Sequence, residues 1–264
     1  MIADLRWRAG AVGAVMVLLA LCGQPSGVSA KEAAADPILY GGAADMSKQL
    51  PPDLVKTPDL VKTLPQGGKS GSLGSAQAGD VPDSAVEGAS DWAKSDIKRA
   101  IALGLTTDKA LGSFQEPITR QHFAGLMVKW MEAITGKKAQ PISPSPFKDT
   151  NDSDVLKAYG LSVVRGVSDD TFAPSAKVTR QEMSVMIERA FHLTGRFPTS
   201  SVQVEPFADA QDVAEWAVGA VTYTASAGIV NGVGDGRFDP LGSATREQAI
   251  VIVKRAYEAV ETTP

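Results

Sequence analysis

The chain has one cysteine and two histidines in 264 residues, no surplus of positive charge and no long apolar run. Each shortage closes off a class of function. Cys22 lies in the N-terminal apolar stretch, so a chain processed beyond it carries no thiol, which excludes disulfide frameworks, cysteine-based zinc sites and thiol catalysis. Lys plus Arg number 26 against 30 Asp plus Glu, a balance that excludes an electrostatic nucleic-acid binder of the usual basic kind. The longest apolar stretch, Ala9 to Leu21, is about 13 residues, short of the ~20 that span a bilayer. What is present is ordinary globular material, 44% apolar and 6% aromatic, in a length that suits one or two domains with a real core.

The apolar stretch reads as part of an export signal. Arg6 and Arg8 precede it, and Val28-Ser29-Ala30 offers the small residues that a signal peptidase accepts, so segment 1–30 is expected to be removed after Ala30. A membrane anchor and lipidation at Cys22 are the alternatives. The second is a poor match, because Leu21 stands where a lipoprotein box wants a small residue. Residues 31–88 are different material, with Tyr40 as their only aromatic, many Pro, Gly, Ser and Ala residues, and a hexapeptide, Pro52-Asp-Leu-Val-Lys-Thr57, repeated at once as Pro58-Asp-Leu-Val-Lys-Thr63. Such a segment buries too little apolar area to offset the entropy of ordering it, and it reads as a flexible, disordered linker.

After Asp91 the chain repeats itself. Thr-Arg occurs at Thr119-Arg120, Thr179-Arg180 and Thr245-Arg246, at intervals of 60 and 66 residues. Counting from each Thr, offsets +4, +7, +8, +11 and +12 are Phe123, Leu126, Met127, Trp130 and Met131, then Met183, Met186, Ile187, Ala190 and Phe191, then Ala249, Ile252, Val253, Ala256 and Tyr257. These offsets form one stripe of a 3.6-residue helix, so three amphipathic helices are predicted. The Thr is a natural N-cap, and Glu182 and Gln248 complete a capping box in copies two and three. Copy one has His122 there and a weaker start.

Ahead of each Thr lies a turn-rich signal. Copy three reads Gly228-Ile229-Val230-Asn231-Gly232 and then Phe238-Asp239-Pro240; copy two matches with Val163-Val164-Arg165-Gly166 and Phe172-Ala173-Pro174. Phe to Thr is seven residues in both, whereas in copy one Phe114 is only five before Thr119. Each copy opens with a shorter helix, marked by Trp92-Ala93 and Trp216-Ala217 in copies one and three. Copy two lacks the Trp and has lost about six residues, leaving a first helix from about Asp154 to Leu161. One such unit has too little apolar surface to fold alone, so the three must pack together.

Phe-x-Asp, Trp-Ala, Gly-Ile-Val-x-Gly, Phe-x-Pro and Thr-Arg-x-Glu/Gln, in three tandem copies from Asp91 to Val260, resemble the S-layer homology family. The resemblance implies a mainly α fold: three helix-loop-helix repeats, 89–146, 147–206 and 207–264, packed as a pseudo-threefold trimer within one chain behind the linker. It also implies a function: non-covalent attachment to the bacterial cell wall, at the cell surface, through secondary cell-wall polysaccharide, pyruvylated or not, or peptidoglycan-linked glycan. The family's Thr-Arg-Ala-Glu motif supplies its binding arginine, which carries over to Arg120, Arg180 and Arg246. Trp92 and Trp216 are candidates for a sugar face, with Gly166 and Gly232 in the intervening loops. Independently of the family, a guanidinium at a helix N-terminus is well made for a carboxylate.

Other readings stand beside these. The arginines also suit buried pairs across repeat interfaces, since a cation at a helix start is locally unfavourable and something else must want it. The tryptophans suit a core, Trp130 above all. His122 and His192 occupy non-equivalent positions outside any catalytic motif. Asp235 and Asp239, and the cluster Asp149, Asp152 and Asp154, miss calcium-loop spacing and read as turn and helix-start residues. No paired acid and base emerges, so no enzyme, cofactor or metal is expected, nor a membrane partner after signal removal. The alternative function is a surface-layer protein acting through protein–protein assembly.

Overall fold

A computed structural model describes residues 81–198 and 205–261. The expected signal segment with its Ala30 and Cys22 alternatives, the hexapeptides and most of the expected linker lie outside the described residues. The fold is mainly α, with six helices among the described residues: α1 Asp91–Ala102, α2 Arg120–Thr135, α3 Ser153–Gly160, α4 Arg180–Thr194, α5 Val218–Ser226 and α6 Arg246–Glu261. None is long and apolar enough to cross a membrane.

The three Thr-Arg helices start where the sequence places them. Thr179 and Glu182 form a complete capping box. Thr245 and Gln248 do the same through bonds of 3.1 and 3.3 Å. Thr119 accepts only from the His122 N–H, at 3.4 Å. The apolar stripe proves too narrow a description. Residues 123–128 of α2, 180–187 of α4 and 249–253 of α6 are buried on every side, as expected of helices whose first turns meet at the centre of a fold rather than lie on its surface.

That centre is a closed ring of backbone hydrogen bonds. Just before each Thr-Arg helix, Ile118 N–H donates to Ala244 C=O (2.9 Å), Ala244 N–H to Val178 C=O (3.4 Å) and Val178 N–H to Ile118 C=O (3.2 Å). All three residues are fully buried. Around the ring, Phe114, Phe172 and Phe238 from the three loops are buried beside Phe123, Phe191 and Trp130, with Trp130 and Phe191 edge to face at 5.5 Å.

The repeats exchange partners. Each short helix lies against the long helix of the preceding copy, α3 on α2 and α5 on α4, and α1 closes the circle on α6 from the far end of the chain. On the closing pair, α1 buries Ala93, Ile97 and Ala100, and Lys254 bridges Asp96 (3.0 Å) and Glu258 (2.6 Å). The copies also differ in detail. In copy three the helix predicted from Trp216 begins with a 3-10 turn, Glu215–Ala217, before α5.

The expected linker boundary at residue 88 is too late. Asp83–Val86 forms a 3-10 turn, Val86 is 1% exposed, Asp83 pairs with Lys98, and the Ser90 N–H and hydroxyl both donate to Glu247. Val86 belongs to the core because α1 alone leaves the start of its buried face uncovered. A chain beginning at Val81 is therefore expected to melt like the longer one. A chain beginning at Ser90 loses Val86 burial, about 1.5–2.5 kcal/mol, and should melt roughly 3–8 °C lower by calorimetry.

Candidate functional site

The side chains singled out by the sequence gather at three junctions, where the start of each Thr-Arg helix meets the Gly/Phe loop of the following copy. Backbone contacts set the geometry. Arg120 N–H donates to Ala176 C=O, Arg180 N–H to Gly242 C=O and Arg246 N–H to Glu116 C=O, at 2.8–3.0 Å, and the next residue along donates to Pro174, Pro240 or Phe114. The first N–H groups of each helix, orphans by helix geometry, are thus satisfied by a neighbouring loop.

In two junctions the arginine is part of this fastening. Arg120 is 4% exposed; its Nε donates to Phe172 C=O and its Nη2 to Arg165 C=O, both at 3.1 Å, and its guanidinium lies 5.0 Å from the Phe172 ring centroid. Arg180 is 6% exposed and repeats the arrangement, with Nε on Phe238 C=O at 2.7 Å, Nη2 on Asn231 C=O at 2.5 Å and the Phe238 ring at 5.0 Å. Burial pushes the Arg180 pKa down while Asp239 and Asp209 oppose it, and the group stays charged because guanidinium starts so high. A planar fork matched to two carbonyls and a ring face is a use that Lys cannot reproduce. Glu182 of α4 lies 3.8 Å from Arg120 Nη1 across the first junction.

The third junction is different. Arg246 is half-buried, and it reaches the copy-one loop through Nη1 alone, which donates to Lys109 C=O at 3.2 Å and Gly112 C=O at 3.4 Å. Its Nε is buried with no hydrogen-bond partner among the described residues. In this copy, two residues shorter from Phe114 to Thr119, both carbonyls fall to Nη1 and none to Nε.

Gly166 and Gly232 stand beside the carbonyls that the arginines hold. A Cβ on Gly232 would sit 2.6 Å from the Arg237 carbonyl oxygen, and one on Gly166 would overlap the Ser168 carbonyl, so both glycines are demanded by their own tight loops. Trp92 is 54% exposed at the start of α1, and Trp216 is half-buried against the core. Trp130 is core, as its helical register predicts.

Two sets of positioning residues were not read from the sequence. Asp149 accepts from Phe172 and Ala173 N–H (2.9 and 2.7 Å), and Asp209 from Phe238 and Asp239 N–H (both 2.8 Å). These are the acids of Phe-x-Asp, and they hold a loop in which Ala173 and Asp239 take left-handed φ of 58° and 57°. The residue after Arg is the second set: Gln181 accepts from Ala214 N–H at 3.0 Å, and Glu247 holds Ser90, each fixing the chain two residues before a Trp. Acceptors recurring at the same offset in copies two and three were the available signal. Asp152 is an N-cap, accepting from Asp154 and Val155 N–H, and among the described residues no group of three His, Cys, Asp or Glu side chains is placed to hold a metal ion.

Comparison with known proteins points one way. A model of the S-layer homology domain family matches residues 146–184 and 206–250, the second and third repeats. The amylopullulanase of Thermoanaerobacterium thermosulfurigenes is 26% identical over 166 residues, 62% of this chain and 9% of that protein. The endoglucanase of Bacillus sp. strain KSM-635 is 33% identical over 121 residues, 44% of this chain and 12% of the relative. The surface-layer 125 kDa protein of Lysinibacillus sphaericus is 27% identical over 185 residues, 66% of this chain and 15% of its own. The chain thus spans a small fraction of the relatives it matches.

Two outcomes follow for stability. Arg180→Ala strands two buried carbonyls and should cost about 2–4 kcal/mol in denaturant unfolding, whereas Arg246→Ala should cost less than about 1 kcal/mol. Burial pushes the Asp149 and Asp209 carboxyls up, but the backbone N–H groups they accept from prevail and hold both below the usual range. Their contribution is therefore present above the unfolded carboxylate pKa, about 3.9, and lost as pH falls further. Asp209→Asn should flatten that acid-side loss in a pH series of thermal midpoints.

Proposed function

We propose, for a chain that belongs to the proteins carrying S-layer homology domains, that its repeats form a non-covalent anchor to the bacterial cell wall at the cell surface. The observation that carries this reading is the nature of what is shared. An amylopullulanase, an endoglucanase and a surface-layer protein each match part of this chain, over 9–15% of their own length. The matched parts are not what distinguishes those proteins from one another; attachment to a common surface is a role that all three can use.

In this reading the bound polymer is secondary cell-wall polysaccharide or peptidoglycan-linked glycan, with acidic substituents such as pyruvate ketals as the charged handle. Arg246 retains donors for a carboxylate, exposed Trp92 offers a ring face, and Trp216 a smaller one. Arg120, Arg180, Gly166 and Gly232 serve by shaping the junctions, since Nε and Nη2 of both arginines are turned onto carbonyls of the protein and Arg120 Nη1 lies beside Glu182. The repeats act as a binding module rather than an enzyme.

Sedimentation with purified cell walls tests this. The wild-type chain should pellet with intact walls and stay in solution with walls stripped of secondary polysaccharide. Arg246→Ala should weaken the interaction by about 1.5–3 kcal/mol with its melting point almost unmoved, and Arg246→Lys should recover part of it. Equal pelleting with stripped walls, or self-association without walls, would favour surface-layer assembly through protein contacts.

A further inference from the structure

Two copies set a residue of the turn ahead of the short helix against a residue late in that helix. In copy one the pair is ionic, Asp83 with Lys98. In copy two it is aromatic, Phe147 with Tyr159, edge to face at 5.1 Å. By the Trp-Ala and Gly spacings, the corresponding residues of copy three are Phe207 on the turn, with Thr222 in place of Lys98 and Ala225 in place of Tyr159. Phe238 packs on Phe207 at 5.3 Å, as Phe172 packs on Phe147 at 5.4 Å. On the side where Tyr159 meets Phe147, copy three has only a methyl group to offer.

The result is an apolar hollow of about 140 Å³, lined by Phe207, Ala210, Val213, Val218, Val221 and Ala225, with Glu205 and Thr222 among its polar neighbours. Copy one closes the same place with larger or charged side chains. Val86 is buried where copy three has Ala210, Ile101 packs on the core where it has Ala225, and Lys94 pairs with Asp91 where it has Val218, 47% exposed. The repeat fold therefore does not require an open apolar surface at this position. A ring-sized hollow with such walls gains by taking an apolar group out of water.

We propose that Tyr40 of the same chain docks in this hollow, its ring against Phe207 as Tyr159 lies against Phe147, and so ties the segment ahead of the repeats to the third repeat. The sequence singles out this occupant. Tyr40 is the sole aromatic between Ala30 and Trp92, and it ends Ile38-Leu39-Tyr40, the only run of three large apolar residues there. The chain between Tyr40 and Val81 can span on the order of 130 Å when extended, so the hollow is within reach. A tether of this kind holds the ring at an effective concentration on the order of millimolar. Docking of one ring at that concentration is reversible and leaves the melting midpoint almost unchanged, in keeping with a chain from Val81 that melts like the longer one.

The test is NMR of the full chain, read on the Val218 and Val221 methyl groups and the Tyr40 ring. In the wild type the ring should displace both methyl signals upfield. Tyr40→Ala should lose that displacement and Tyr40→Phe should keep it, while Leu54→Ala and Leu60→Ala in the hexapeptides leave it as it is. Val218→Lys, which installs the copy-one residue at an exposed position, should return the Tyr40 ring signals to where a free peptide of residues 36–45 shows them, with the melting midpoint unmoved. Dilution by about tenfold should change nothing, because docking is within one chain. Methyl signals indifferent to Tyr40→Ala, a Tyr40 ring indifferent to Val218→Lys, or a displacement that follows Leu54 or Leu60 overturns the proposal. So does a displacement that fades on dilution, which would mean that a second copy supplies the ring.

Discussion

Everything in this domain hangs on three backbone hydrogen bonds that close on themselves. Ile118, Val178 and Ala244 each donate to a residue of another copy, in cyclic order, so the circle cannot close unless all three copies are in place. Burial makes that constraint strict, because a carbonyl or N–H left open there would have no water to turn to. The Thr-capped helices radiate from this ring. Their first N–H groups are spent on loop carbonyls of the next copy, which fixes where every junction lies and how each arginine enters it.

The same constraint explains why the three arginines do different work. Where the loop is full length, in copies two and three, the incoming guanidinium finds two carbonyls and a phenylalanine face and becomes part of the fastening. Where the loop is two residues shorter, in copy one, the ring still closes but the guanidinium of Arg246 is left with donors to spare. The junction with the shorter loop is thus the one, of these three, in which the arginine Nε has no carbonyl partner among the described residues. The exchange of partners adds cooperativity: α1 and α6, the first and last helices among the described residues, must find each other, so losing either opens the circle.

Much of this was legible in the sequence. The Thr-Arg spacing located three helix starts, the residue three beyond each Thr distinguished complete from incomplete capping boxes, and the Phe and Gly positions marked the loops. A cation at a helix start is locally unfavourable, and what offsets this for Arg120 and Arg180 was not readable: their partners are backbone carbonyls, which leave no side-chain signature. The exchange of partners was hidden for a related reason, since the apolar face of α3 or α5 suits any of the three long helices and only the ring decides among them. The linker boundary was missed because a single valine, Val86, in a polar segment gives no periodicity. Asp149 and Asp209 were seen within a motif, but the paired N–H groups they hold become apparent only when the loop is folded back over them.

The account stands or falls on the ring acting as one unit, and native-state hydrogen exchange of the Ile118, Val178 and Ala244 amides measures that directly. If the circle is closed by all three copies together, the three amides exchange only through global unfolding, with opening free energies that agree with one another and with the stability from denaturant unfolding. If one of them, Ala244 with its longest bond included, exchanges through a separate opening more than about 1.4 kcal/mol cheaper than the others, the copies are not locked to each other and the account is contradicted.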